Sequence, residues 1–175
     1  ADLSEASGIE LLNDSTFVMI NDSGNKAELF VLNLDGSLIK KVAVLNEKNH
    51  DWEDLTLDGK FLYIADFGNN KNKRKNLVIL KVKIVDILAK KEVTAQKIYF
   101  SYKEQKSFPP DKKNMNFDAE AIVSIGDSLL ILTKVNAVPW TGKSQLYYLS
   151  KKPGIYSISK SGELFIGPNG WFVDA

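Results

Sequence analysis

Leu62-Tyr-Ile-Ala-Asp-Phe-Gly-Asn-Asn, residues 62–70, is an apolar run that ends abruptly in a polar tip. Two further stretches have the same form: Phe17-Val-Met-Ile-Asn-Asp-Ser-Gly-Asn at 17–25 and Leu130-Ile-Leu-Thr-Lys-Val-Asn at 130–136. A glutamate-led segment precedes each of them: Glu5-Ala-Ser-Gly-Ile-Glu-Leu, Glu53-Asp-Leu-Thr-Leu and Glu120-Ala-Ile-Val-Ser. A second apolar stretch follows each: Glu28-Leu-Phe-Val-Leu, Asn76-Leu-Val-Ile-Leu and Gln145-Leu-Tyr-Tyr-Leu. Short β-branched and aromatic runs closed by Asn, Asp and Gly read as strands entering turns. One multi-strand unit is used three times, which is the mark of a repeat architecture.

A fourth strand is expected at 38–45 in the first unit and at 97–102 in the second. Asn13-Asp14, Asp35-Gly36, Asp58-Gly59 and Gly126-Asp127 supply the turns between strands. Helical pattern is nearly absent, with room for one turn near Asp86. Glu5 and Glu53 are 48 residues apart, and Glu53 and Glu120 are 67 apart, the longer step containing the loop 104–116. A propeller blade is a four-stranded sheet of about 40–50 residues. The expectation is an all-β, β-propeller-type domain spanning 1–175, with repeats near 5–50, 53–102 and 120–150 and an irregular tail at 151–175. The tail holds a strand pair, 155–158 and 164–166, that fits the template poorly. Rings usually take about four to eight blades, so three and a fraction make an incomplete or open propeller. Either the chain is a fragment, or a homodimer completes the ring.

Net charge is +1, so no basic excess drives phosphate-backbone binding and nucleic acid is not expected as a partner. Local lysine clusters at Lys71, Lys73, Arg74, Lys75 and at Lys112, Lys113 fall in turn-rich stretches and read as solvated loops. The absence of cysteine excludes disulfides, thiol catalysis and zinc–thiolate sites. No apolar run reaches the roughly 20 residues of a membrane helix. The residues from Ala1 onward carry no signal-peptide pattern, which a mature secreted chain also lacks.

Radial stacking of equivalent sheets would bring Glu5, Glu53 and Glu120 to one pole. It would bring Asp22, Asp66 and Lys134 there from the ends of the second strands, with Asp51, Asp54 and Asp118 nearby. Glu5, Asp22, Glu53, Asp66, Asp118 and Glu120 are candidate metal ligands, because carboxylate oxygens are the hard donors that Ca²⁺ or Mg²⁺ prefers. Turn chemistry accounts for the same aspartates and glycines equally well, and a blade-opening glutamate can cap loop amides. Lys134, in place of an acid, suits an ion pair with neighbouring carboxylates. His50 is the one histidine, directly before Asp51-Trp-Glu-Asp, and with Glu53 is the candidate for general-base work. Neither a Gly-x-Ser-x-Gly elbow nor a phosphate-cradling glycine loop is present. Among the tryptophans, Trp52 falls in a repeat-opening strand, Trp140 in a loop that favours exposure, and Trp171 in the tail. Asp22, Asn25, Trp52, Asn69, Arg74 and Lys134 are candidate ligand-binding residues.

Five motifs in order resemble a family. Asn21-Asp-Ser-Gly-Asn, Asp51-Trp-Glu-Asp, Ile64-Ala-Asp-Phe-Gly-Asn-Asn followed by Arg74, Phe117-Asp-Ala-Glu-Ala and Leu132-Thr-Lys look like a group of bacterial, largely secreted β-propeller proteins of unassigned activity. The likeness covers 5–149, and Phe100-Ser-Tyr and Phe108-Pro-Pro fit it as well. It implies a propeller in an extracellular or periplasmic setting and no settled reaction. The chain departs from the family in having about half the usual propeller. More distantly the layout is similar to gluconolactonase-like and paraoxonase-like propellers, which hold Ca²⁺ at one end of the channel, a likeness of fold alone.

The expected function is a secreted or periplasmic binding or scaffold module for a small ligand or a protein, its carboxylate rim suited to Ca²⁺. The alternative is a metal-dependent hydrolase of the lactonase or phosphoesterase kind, which needs a completed propeller.

Overall fold

The structure, a computed structural model, describes residues 3–167, so Trp171 lies outside the described residues. The first four strands are β1 (Ala6–Asn13), β2 (Thr16–Asn21), β3 (Glu28–Asn33) and β4 (Leu38–Val44). β5 (Trp52–Leu57), β6 (Phe61–Asp66) and β7 (Val78–Lys83) follow, then a short helix α1 (Ile84–Ala89), β8 (Glu92–Val93) and β9 (Gln96–Tyr102). After a 3₁₀ turn at Lys112–Asn114 come β10 (Asp118–Ile125), β11 (Ser128–Lys134), β12 (Lys143–Ser150), β13 (Gly154–Ile158) and β14 (Lys160–Phe165). The fold is all-β, with 14 strands in three sheets among the described residues.

The first sheet has the order β1-β2-β3-β4-β8, the second β5-β6-β7-β9-β13 and the third β10-β11-β12-β14. The first four strands of each run antiparallel in sequence order. β8 and β13 add in parallel to the outer edges of the first and second sheets. The expected tail hairpin does not form, because β13 joins β9 while β14 pairs with β12 and gives the third sheet its fourth strand. Only Ser159 separates the two tail strands, fewer than the two residues of the tightest common hairpin loop, so the chain passes from one sheet to the next. Both additions shield an edge that would otherwise present unpaired amides.

The second sheet is the middle layer, and its sequence shows why. Side chains alternate across a strand, so Leu62 and Ile64 of β6 enter the core shared with the first sheet, beside Val18, Ile20, Leu29 and Trp52. Tyr63 and Ala65 point the other way, into the core shared with the third sheet, beside Phe100, Tyr102, Ile131 and Tyr147. A strand buried on both faces needs an unbroken apolar run, and residues 62–65 provide one.

β1, β5 and β10 lie side by side. Ser7 Oγ donates to the Trp52 carbonyl at 2.7 Å, Ile122 N–H to Asp54 Oδ2 at 2.9 Å and Ser124 N–H to Thr56 Oγ1 at 3.1 Å. Gly8 permits the closest approach: a Cβ there would sit 3.0 Å from the Leu55 amide nitrogen. Pairing numbers rise together along the three strands, so they run the same way and their starting ends share one pole of the molecule.

Candidate functional site

That pole gathers acids from two sheets. Carboxylate oxygens of Asp22, Asp51 and Glu53 all lie within 4.8 Å of one another. Asp22 follows β2, Asp51 precedes β5, and Glu53 sits inside β5 at a bulge, where the pairing with β6 skips from Trp52 to Asp54. A bulge re-aims the side chain of its extra residue. Comparable shifts fall between Ala6 and Gly8 in β1 and between Ala119 and Ala121 in β10. The register therefore makes Ser7, not Glu5, the counterpart of Glu53 and Glu120, correcting the equivalence of the three glutamates drawn from the repeat.

Loop-to-loop hydrogen bonds hold the cluster. Asn49 Nδ2 donates to the carbonyls of Asn21 and Asp22, both at 2.8 Å, and Asn49 Oδ1 accepts from Trp52 N–H at 3.1 Å. Ser23 N–H bonds the Asp22 carboxylate, while Asp22 N–H donates to the Glu5 carbonyl at 2.8 Å. Gly68 N–H reaches the Asp51 carbonyl at 3.2 Å and forms the floor. A Cβ on residue 68 would overlap Glu53 Oε1 and stand 2.5 Å from Asp51 Oδ2, so only glycine leaves the carboxylates room.

The electrostatics are unbalanced. Burial raises the Asp51 carboxyl above its ordinary value; Arg74 opposes the shift and the charges of Asp22 and Asp118 add to it. Close carboxylates disfavour one another's ionisation unless a cation or a proton intervenes. The donor set is all oxygen, Glu53 is buried, and Asp22 and Asp51 are half-buried. That chemistry fits Mg²⁺ or Ca²⁺, with Asp22, Asp51 and Glu53 as the residues that would hold the ion.

Glu5 is exposed and accepts a hydrogen bond from Asn25 Nδ2 at 2.8 Å, bracing the 22–25 turn. Asp66 is buried and bound by Arg74 at 2.7 Å, by His50 Nδ1 at 3.0 Å and by the Asp51 N–H at 3.2 Å. The Arg74 charge and these bonds occupy its oxygens, which makes it a strut beneath Asp51. Arg74 also donates to the Gly68 carbonyl at 2.8 Å. Asp118 is fully buried, accepts from the Asn69 amide at 2.8 Å and from Asn136 Nδ2 at 2.7 Å, and hydrogen-bonds Glu120; burial raises its carboxyl as well. Glu120 pairs with Lys134 at 3.1 Å, the ion pair expected for that lysine. Asn69 is buried and ties Asp118 to Phe117 and Arg74, and Trp52 is fully buried in the first core rather than offered to a ligand. Trp140 is half-buried.

Asp22 and Glu53 thus meet at one point, Asp118 and Glu120 form a separate pair beside it, and Glu5 and Asp66 support the loops. Asp51 was missing from the expected ligands. The Asp51-Trp-Glu-Asp motif placed it beside Glu53, but the bulge at Glu53 and the loop before β5 decide that the two carboxylates meet.

No family model matches the chain, and no curated protein matches it. Among solved structures, Kuenenia stuttgartiensis hydrazine synthase is similar over 97% of this chain, with 15% identity and a TM-score of 0.49. This chain spans 38% of that one, and at such a distance the likeness bears on no residue of the site.

Proposed function

We propose that the three sheets are consecutive blades of a β-propeller, and that the chain serves as an extracytoplasmic binding module whose acidic pole holds a divalent cation, Ca²⁺ by preference. One observation carries the reading: three carboxylates from two sheets converge within 4.8 Å over a glycine whose side-chain space they occupy. The shared direction of β1, β5 and β10 supports the blade reading, since the first strands of propeller blades line a common axis. Resemblance to secreted propellers supports the setting. There, free Ca²⁺ is high enough for a half-open, three-carboxylate site of modest affinity, on the order of 10⁻⁴–10⁻³ M as in extracellular modules. A second copy of the chain, adding three more blades, is one way to close the ring.

Calorimetry and thermal unfolding with Ca²⁺ and Mg²⁺ test the proposal. The expected outcome is measurable heat and a raised thermal midpoint at millimolar Ca²⁺, both lost in Glu53→Gln and in Gly68→Ala, the latter because its methyl group displaces the carboxylates. Neither heat nor stabilisation from either ion in the unaltered chain sinks the cation site.

The contact of His50 with Asp66 favours a second reading, a hydrolase with His50 as base beside the metal. Turnover of a lactone or phosphoester panel that disappears in His50→Gln would support it. Arg74 already occupies the Asp66 carboxylate at 2.7 Å, so the binding module is the preferred reading.

A further inference from the structure

The opposite pole, where β5 and β10 end, carries a different chemistry. Between the second and third sheets lies a cleft of about 710 Å³, lined by Lys60, Lys81, Lys151 and Lys152 together with Asp58 and Asp127. Four lysines against two aspartates leave the cleft with two positive charges. Asp58 has little left to offer. Its Oδ1 accepts the Lys60 and Phe61 amides at 3.1 and 3.0 Å, and its Oδ2 takes the Tyr63 hydroxyl at 2.7 Å with Lys151 Nζ at 3.7 Å.

Lys81 is the unbalanced member. Its ammonium lies 4.1 Å from the centre of the Phe61 ring and 5.5 Å from that of Tyr63, and donates to the Lys151 carbonyl at 3.0 Å. Among the described residues it has no carboxylate within ion-pair distance. Lys151 Nζ shares the Tyr63 ring at 5.7 Å, so two ammonium groups stand over one ring while the carboxylate of Asp58 reaches only Lys151. Partial burial lowers the Lys81 pKa and Lys151 lowers it further, against the pull of Asp58. Ring faces soften the loss of water around a cation without neutralising it. An anion in the cleft would do so. Ser128, Ser150 and the half-exposed Tyr148 also line it.

We propose that this cleft is an anion site for a phosphorylated small molecule, with Lys81 and Lys151 binding the phosphoryl oxygens, Lys60 and Lys152 adding charge at the mouth, and Tyr148 covering the organic part. A phosphoryl dianion matches the two uncompensated charges, and compact ammonium groups bind phosphate as point charges. The site stands apart from the acidic pole and does not depend on it.

The test follows backbone amide resonances of the full chain at low ionic strength during titration with glucose 6-phosphate, inorganic phosphate and glucose. Glucose 6-phosphate is expected to shift residues 58–63, 81, 126–128 and 148–152, inorganic phosphate to shift the same set more weakly, and glucose to shift none. Lys81→Gln and Lys151→Gln should each weaken binding by roughly fivefold or more. Lys152→Gln, an exposed side chain whose loss does not endanger folding, should weaken it by about twofold. Lys73→Gln, an exposed lysine on a distant loop, reports general charge loss and should change nothing. Three results would overturn the site: no lysine-dependent shift at about 20 mM ligand, equal weakening by Lys73→Gln, or an unchanged affinity in Lys152→Gln with Lys81→Gln and Lys151→Gln folded and binding normally. Inorganic phosphate binding as tightly as glucose 6-phosphate would overturn the role given to Tyr148.

Discussion

Burial and the charges of Asp22 and Asp118 hold the Asp51 carboxyl above its ordinary range, with Arg74 pulling the other way. A carboxyl that binds its proton more tightly when folded than when unfolded weakens the fold as that proton leaves. The Asp51 contribution therefore falls as pH rises from about 3.9, its unfolded value, through its raised native value, and a bound cation reverses the loss. Carboxylates with lowered values, such as Asp58 and Glu163, impose the opposite slope on the whole protein, so the comparison must be made against a variant. In chelator at neutral pH, Asp51→Asn is expected to unfold at a higher temperature than the parent, by about 2–4 °C per ~1 kcal/mol of relieved repulsion. With millimolar Ca²⁺ the order should invert, because the variant has lost a ligand. Thermal scans of both proteins across pH, with and without Ca²⁺, read the effect; a variant that is less stable than the parent in chelator contradicts the electrostatic account. Residue types alone showed that an acidic site was available here. They did not show that Asp66 would be spent on Arg74 and His50, because that depends on which loop folds over it.

At the scale of the elements, β5 holds the molecule together. Its Asp54 accepts the Leu55 amide at 2.7 Å through one oxygen and the Ile122 amide of β10 at 2.9 Å through the other, joining two sheets where no main-chain ladder connects them. Removing one partner of a buried hydrogen bond leaves the other unsatisfied, at about 1–3 kcal/mol. Asp54→Ala should lower the unfolding free energy by an amount in that range, read as a lower urea midpoint without a change in slope, whereas Thr56→Val, which deletes the neighbouring Ser124 contact at a part-buried position, should be milder. Equal and negligible effects in both would show that packing alone carries the junction. Most strands were legible in the sequence because apolar runs between Asn, Asp and Gly turns are a local signal. β13 was read at 155–158 but given the wrong partner, β14 was read only at its end, and β8 was not read at all. β8 has two residues and no pattern, and β13 and β14 are exposed edge strands whose place is set by the sheets they join.

Over the whole molecule, the two cores share one wall. The first holds residues of the first and second sheets and the second holds residues of the second and third, so neither outer sheet has a core of its own. Loss of either outer sheet would uncover one face of β6 and β7, and a single cooperative transition is expected. Tryptophan fluorescence of a Trp140→Phe, Trp171→Phe variant, which leaves Trp52 in the first core, and far-UV circular dichroism should therefore trace the same urea curve; separated midpoints would mean that the sheets unfold independently. The all-β class and the three strand-rich repeats were legible in the amino-acid sequence by itself, since strand period, turn residues and repetition are properties of neighbours along the chain, whereas the middle sheet's burial on both faces came from packing. Which acids meet was decided only by the tertiary structure. The bulge at Glu53 and the course of the loops around Asn49 and Gly68 set where each carboxylate points, and such directions follow from contacts between segments remote in sequence. The same holds at the other pole, where Lys81 and Lys151, 70 residues apart, share a ring and a cleft.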